Sequence, residues 1–480
     1  MKVYMLNPPY MPHFGRAMRW QDTGRGGTLY YPIWLSYATG VVEQYYKTRL
    51  VDAPAWNWSI KDVVNDARKF NPDLIVLDSS FPSLNNDIFV AETLKENAHC
   101  RIALVGPPAS QFPEKILESK GIDIVARFEY DFTIKEVADA IQTNDGLKDV
   151  KGISYKEDGK IIHNPNREFT NSEDLDKIPF VSKVYKKHLN IKDYFLGSSL
   201  YPEVQIFTGK GCPFLCTFCS WPQTLMGRKY RVRSVPNVLD ELEWIQENLN
   251  VKEVFFEDDT FTINKKRVLE FCKEYKRRGM KVTWACNARA DLDYKTMKEM
   301  KDANCRLLIA GYESGSDHVL RNIKKGITVK QMKRFAKNAR KAGLLIHGDF
   351  IIGLPGETRE TIKKTKNLIK ELKPDILQVS VATPFPGTEF YTWANQNGYL
   401  LTNDPNEYLD KQGHQKSIIS YPCLSNEEIT NAVDEILKSY YISINYVPIA
   451  LRQVLRKNGL DEMRRICYSM RMFMKYISSR

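Results

Sequence analysis

The sequence predicts an α/β protein in three parts: an N-terminal doubly wound parallel sheet, a partial (β/α)6 TIM-type barrel and a helical C-terminal region. Two observations carry this prediction. Short apolar runs alternate with amphipathic stretches within residues 1–145, and again within residues 201–395. Alternating β and α segments imply parallel strands joined by crossover helices. Residues 396–480 read as a tail region with a helix at Glu427–Tyr441 and helical spacing further on.

In the first series, Val3–Leu6, Arg49–Val51, Leu74–Leu77, Ile102–Val105 and Ile122–Val125 are apolar runs suited to strands buried on both faces. Ser59–Phe70 sets Ile60, Val63, Val64 and Ala67 on one helical face, and Asp87–Glu96 is a second helix. Ligands of doubly wound sheets sit beyond the carboxyl ends of the strands. The loops there contain Asn7-Pro8-Pro9, Asp78–Pro82, Gly106-Pro107-Pro108 and Arg127–Tyr130. Gly24-x-Gly26-Gly27 is too short for a dinucleotide fingerprint and is expected to be a mobile loop. Residues 146–200 hold a β-hairpin turning at Asp158-Gly159, then an acidic, proline-containing linker.

The second series begins at strand Val204–Phe207 and runs through Glu253–Phe256, Val282–Ala285, Arg306–Ile309, Leu345–Ile352 and Ile376–Ala382, with helices between them. Barrel sites lie at the carboxyl ends of strands. Polar groups gather there in this chain: Asp258 and Asp259, Asn287 and Arg289, Glu313 and Ser314, and Gly353 with Gly356. The first strand delivers the chain to Gly209–Trp221, where Cys212, Cys216 and Cys219 form a C-x3-C-x2-C array. Three thiolates on a tight loop can hold three corners of a four-iron cluster, leaving the fourth iron open to a small molecule. Structural zinc wants four ligands, and the next cysteines, Cys272 and Cys286, are far along the chain.

Composition sets outer bounds. An apolar content of 43% and a charged content of 27% are those of a soluble globular protein. Nine cysteines without paired spacing argue against a secreted disulfide scaffold, and a reducing, cytoplasmic setting is expected. Met1–Pro9 reads as a strand and turn, and no run of eighteen apolar residues is present. The net charge is +12, half of it in residues 451–480, where eight Lys/Arg, Arg480 included, face Asp461 and Glu462. In that tail Ile466, Met470, Phe473 and Ile477 repeat at helical spacing among basic residues. Such a helix either lies on a membrane surface or docks on the barrel with a solvated basic face.

Cys212-Pro-Phe-Leu-Cys-Thr-Phe-Cys219 resembles the signature of radical S-adenosylmethionine (SAM) enzymes. The resemblance implies a [4Fe-4S] cluster on the three cysteines whose open iron binds SAM. It places Phe218 beside the adenine and Asp258 and Asp259 at the SAM ammonium. Asn287, Arg289, Glu313 and Ser314 suit the carboxylate and ribose, and Gly353 and Gly356 permit close backbone approach to a flat ring. The preceding sheet resembles, in layout, the cobalamin-binding domain of cobalamin-dependent members. The cobalt-ligating motif D-x-H-x-x-G is absent, so no histidine from it is expected on cobalt. Asn7, Pro8, Ser79, Ser80, Phe81, Gly106, Phe128 and Glu129 are the residues expected to contact cobalamin.

Val150-Lys-Gly-Ile-Ser-Tyr, Cys219-Ser-Trp-Pro-Gln-Thr, Phe256-Glu-Asp-Asp-Thr-Phe and Leu354-Pro-Gly-Glu-Thr together resemble the hopanoid-biosynthesis-associated radical SAM proteins. That branch implies contraction of the amino-sugar head group of a bacteriohopane lipid to a cyclitol, with a flavodoxin- or ferredoxin-type external reductant. Methyl transfer to an unactivated carbon, or a related cyclisation, is the alternative within the same class. A nucleic-acid-modifying relative would carry a second cluster on N-terminal cysteines, but the first 200 residues hold only Cys100.

Overall fold

A computed structural model describes residues 1–478. Arg480 of the basic tail lies outside the described residues. The first sheet has seven strands: β1 (Lys2–Asn7), β2 (Lys47–Asp52), β3 (Leu74–Asp78), β4 (Arg101–Val105), β5 (Ile124–Ala126), β6 (Ile153–Glu157) and β7 (Lys160–His163). Their order is β2-β1-β3-β4-β5-β6-β7. The first five are parallel, and the hairpin β6–β7 extends the sheet by two antiparallel strands. Helix Ile60–Phe70 starts at a capping box in which Ser59 and Asp62 satisfy each other's backbone N–H groups.

The barrel sheet consists of β8 (Glu203–Ile206), β11 (Glu253–Phe256), β12 (Thr283–Ala288), β13 (Cys305–Glu313), β14 (Leu345–Ile352) and β15 (Ile376–Val381). All neighbours are parallel in the order β15-β14-β13-β12-β11-β8. Between β8 and β11, the short strands β9 (Gly209–Lys210) and β10 (Arg231–Val232) pair antiparallel and clamp the base of the cysteine loop. Apolar side chains Leu196, Phe255, Ala285, Leu307, Ile309, Leu345 and Ile376 pack together as a plug inside the half-barrel.

Helix Ile33–Val42 is buried along its whole length and joins the two sheets. Trp34 meets Phe207 and Trp221, and the Tyr37 hydroxyl accepts the Phe207 N–H at 2.8 Å. Being apolar on every side, it shows no amphipathic period in the sequence. Residues 396–478 add helices Asn426–Tyr441, Val447–Val454 and Gly459–Ser478. The last of these docks on the barrel: Phe473 packs on Tyr441 at 5.6 Å, and Glu462 takes Arg306 at 2.7 Å. The expected apolar face of this helix is thus turned into the protein. No helix among the described residues is long and apolar enough to cross a membrane.

Candidate active site

The cysteine loop is shaped by its hydrogen bonds. Gly211 has φ +90°, and a Cβ there would lie 2.1 Å from the Lys229 carbonyl oxygen, so only glycine fits. Cys212 N–H donates to Gly227 O at 3.2 Å and Thr217 N–H to Ile323 O at 3.1 Å. Lys210, buried beneath the loop, donates to Asp131 at 2.6 Å. All three cysteines line one cavity of about 350 Å³. Burial pushes the Cys212 thiol up to about 11 and the Cys219 thiol higher still, opposed at both by Arg19. Among the described residues no three His, Cys, Asp or Glu side chains meet around a single ion. A cubic cluster takes each thiolate on a separate iron, so its ligands surround a space rather than a point. Three thiols lining one space are a donor set that fits three corners of such a cluster.

The cavity runs from this loop into the half-barrel. Of the residues expected at SAM, Phe218, Asp259, Asn287, Arg289 and Glu313 line it. Arg289 lies over the Phe214 ring at 3.9 Å, and Glu313, at φ +64° on a bulge of β13, accepts from Lys325 at 2.6 Å. Four of the expected SAM residues are not among those lining it. Asp258 accepts from Thr208 N–H at 2.6 Å and Tyr230 O–H at 2.9 Å, tying β8 to β11. Ser314 Oγ accepts from Ser316 N–H. Gly353 packs under Ile429, and Gly356 turns at φ +86° beside Asn322. Strand parity accounts for the placement of Asp258 and Ser314. Side chains alternate along a strand and its extension, so Glu257 and Asp259 face inward while Asp258 faces out.

Several lining residues escaped the sequence reading. A strap, residues 8–30, crosses the cavity mouth, and the glycines expected to be mobile are part of it. Arg19 pairs with Asp259 and lies 3.5 Å from Glu257, with its guanidinium 4.0 Å above the Trp221 ring. Burial opposes the Arg19 cation, but Asp259, Glu257 and Cys219 hold its pKa above the ordinary value. Burial also pushes Glu257 up to about 8. Glu257 Oε2 and Asp259 Oδ2 are buried without a hydrogen-bond partner, open acceptors for an ammonium group. Deeper in, burial drives His347 down to about 3 and raises Asp349 well above the carboxylate range, with the two side chains 3.2 Å apart. Gln378 and Tyr30 complete this polar belt, and Ile466, Met470 and Phe473 of the last helix supply an apolar wall.

The residues expected at cobalamin gather between the first sheet and the cysteine loop, but they are closed over. Arg16 donates to Asn7 Oδ1 at 3.0 Å and Pro8 O at 2.7 Å, and forms a buried ion pair with Asp87 at 2.6 Å. Ser79 donates to Asp87, Ser80 shares a hydrogen bond with Ser83, and Phe81 stacks on Phe385 at 5.4 Å. Phe128, at φ +59°, meets Phe169, and Glu129 is held by Arg231 at 2.7 Å. The remaining void is about 10 Å³. Two atoms on its wall, Trp34 Nε1 and the Tyr130 hydroxyl, are buried without partners, and a Cβ on Gly106 would meet Ser79 O at 2.2 Å. The polar groups suit a bound ligand. The space does not hold a corrin unless the strap withdraws.

A half-barrel with a three-thiol loop at its carboxyl edge, continuous with a cavity of opposed acids and cations, defines an enzyme that presents an open iron–sulfur cluster to a zwitterionic cofactor. The comparisons agree. Residues 206–369 match the model of the Radical SAM superfamily. The uncharacterized methyltransferase PH0819 of Pyrococcus horikoshii is 31% identical over 463 residues, 96% of each chain. The hopanoid C-3 methylase of Methylococcus capsulatus is 25% identical over 72% of this chain and 64% of its own. The radical SAM methyltransferase TsrM of Kitasatospora setae, solved with cobalamin and a [4Fe-4S] cluster, superposes with a TM-score of 0.70. That match covers 100% of this chain and 98% of TsrM at 14% identity. The chain belongs to the radical SAM superfamily.

Proposed function

We propose that this radical SAM enzyme acts on the head group of an amphiphilic lipid, contracting the amino-sugar ring of a bacteriohopane to a cyclitol, with cobalamin as a second cofactor. The observation that carries the reading is the shape of the cavity. Beneath the cysteines it passes Glu257 and Asp259, each with one oxygen that has no hydrogen-bond partner, then the polar side chains of His347, Asp349 and Gln378, then an apolar wall. When bound to Cys212, Cys216 and Cys219, the cluster supplies one electron to the SAM sulfonium. The chain's own residues do the rest by position. Glu257 and Asp259 receive the SAM ammonium, while Arg289 and Lys325 face its carboxylate. Phe218 borders the adenine. His347, Asp349 and Gln378 hold the hydroxyl and amino groups of the sugar, and the strap excludes water. Trp34 and Tyr130 would face the corrin once the strap moves. A flavodoxin- or ferredoxin-type protein is the proposed reductant.

Methyl transfer is the second reading, favoured by the similarity to methyltransferases along nearly the whole chain. Anaerobic reconstitution with SAM, reductant and a bacteriohopane glycoside, followed by mass spectrometry, separates the two. Ring contraction yields 5′-deoxyadenosine and an isomerised head group, the rearranged radical being closed by a second electron from the external reductant and a proton. S-adenosylhomocysteine with a methylated lipid supports the second reading, and 5′-deoxyadenosine without any change in the hopanoid sinks both for this substrate.

A further inference from the structure

The C-terminal helices carry an apolar face without a partner. Of the fifteen large apolar side chains most exposed among the described residues, nine fall between Ile442 and Met474. Ile444 and Leu455 are each 82% exposed, and Leu460 is 70% exposed. Single exposed leucines are ordinary, but a concentration of this kind marks an interaction site. Val447 and Leu451 lie on the outer side of Val447–Val454, flanked by Ile444 in the preceding turn and Leu455 at the C-cap, while the inner side buries Ile449 and Gln453. Leu460, Met463 and Met474 do the same on Gly459–Ser478, whose inner side buries Glu462, Arg465 and Phe473.

Both helices cover one end of the barrel. Gln453 donates to Asp375 O, Arg456 to Gly343 O and Arg465 to Gly197 O, all near the amino ends of strands. Their outer sides therefore face away from the same end, opposite the cysteine loop. Lys457, Arg464, Arg471 and Lys475 are exposed among the apolar residues. The acids nearby are occupied: Asp461 lies by Lys252 and Arg464, and Glu462 is buried between Arg306 and Arg465. A two-fold contact with a second copy would bring two sets of these cations into one interface.

We propose that this face docks on an anionic lipid bilayer, with the apolar side chains in the interface and the four cations at the level of the phosphates. The inference stands apart from the proposed reaction, since docking can fail while SAM cleavage persists. It also has a consequence for access. The inner side of the same helix lends Ile466, Met470 and Phe473 to the cavity, so a single helix separates the cavity from the membrane.

The test is cosedimentation of full-length holoprotein with phosphatidylcholine vesicles, with and without phosphatidylglycerol, alongside light scattering of the protein alone. The expected result is binding to the anionic vesicles that weakens at high salt. The double variants L451S/L455S and K457E/R471E should each reduce binding at least about tenfold while leaving SAM cleavage and thermal melting unchanged. Equal binding by parent and variants overturns the proposal, as does a failure to sediment. A parent dimer that the variants dissociate, without vesicle binding, assigns the face to self-association instead.

Discussion

The strap of residues 8–30 meets two crevices and treats them in opposite ways. Arg16 enters the crevice of the first sheet and fills it, giving its hydrogen bonds to Asn7, Pro8, Ser83 and Asp87 and leaving about 10 Å³. Arg19, three residues on, enters the barrel cavity and leaves it open at about 350 Å³, with Glu257 Oε2 and Asp259 Oδ2 unpartnered. The same residue type ends as structure in one place and as part of a binding site in the other. The difference lies in what surrounds it. Asp87 is matched by Arg16 and two serine hydroxyls, so its charge is satisfied within the protein. Arg19 faces two acids whose remaining oxygens have no donor. A filled crevice stabilises the fold, whereas an under-satisfied one favours a ligand that completes it.

The largest effect expected from breaking this contrast is in the open cavity. Cys216→Ala removes one of three thiolates and should abolish both the iron–sulfur absorption and 5′-deoxyadenosine formation under anaerobic assay. Retained SAM cleavage would refute the cluster assignment. Next is the closed crevice. Arg16→Ala leaves Asp87 buried without its cation, which should cost about 3–5 kcal/mol by denaturant titration. The same change should loosen the strap and raise cobalamin uptake during reconstitution, followed by its visible absorption. A stability loss below about 1 kcal/mol would show that the crevice is not locked by this pair.

These contrasts were unequally legible in the sequence. The cysteine ligands are contiguous, so eight residues suffice to read them. The barrel strands announce themselves as apolar runs because both faces are buried. Which acid faces inward was also available: Phe255, Glu257 and Asp259 fall on one parity, and Ile309, Gly311 and Glu313 on another strand's. Asp258 and Ser314 are on the wrong parity for the cavity. His347 and Asp349 carry the same signal as polar residues two apart in an apolar strand. The strap gives no such sign. It has no period, and its key partner, Asp259, lies 240 residues away. Helix Ile33–Val42 escaped for the opposite reason, since burial on all sides erases the pattern that marks a helix. The tail helix showed its apolar spacing correctly, but periodicity cannot say whether a protein or a membrane covers that face.

Smaller effects sharpen the contrast between Arg16 and Arg19. Arg19→Ala leaves two partly satisfied acids and should cost about 1–3 kcal/mol, less than Arg16→Ala, while shifting the SAM concentration needed for half-maximal cleavage. The pH dependence of stability separates the two crevices further. Burial raises Asp78, at the closed crevice, to about 7 and Glu257, at the open one, to about 8. A folded-state pKa above the unfolded value means the native protein keeps a proton that the unfolded chain has released. The stability from each group is therefore full below about pH 4 and is lost as pH rises through 7 or 8. Between pH 7 and 8 the loss should be roughly 1 kcal/mol from Glu257 and under about 0.5 kcal/mol from Asp78. Glu257→Gln should accordingly flatten the slope over that interval more than Asp78→Asn does. Bound SAM should reverse the ranking, because an ammonium beside Glu257 favours its charged form and lowers its pKa, leaving Asp78 the steeper contributor. If SAM leaves the Glu257 contribution unchanged, that carboxylate is not the ammonium receptor, and Asp259 must hold the role alone.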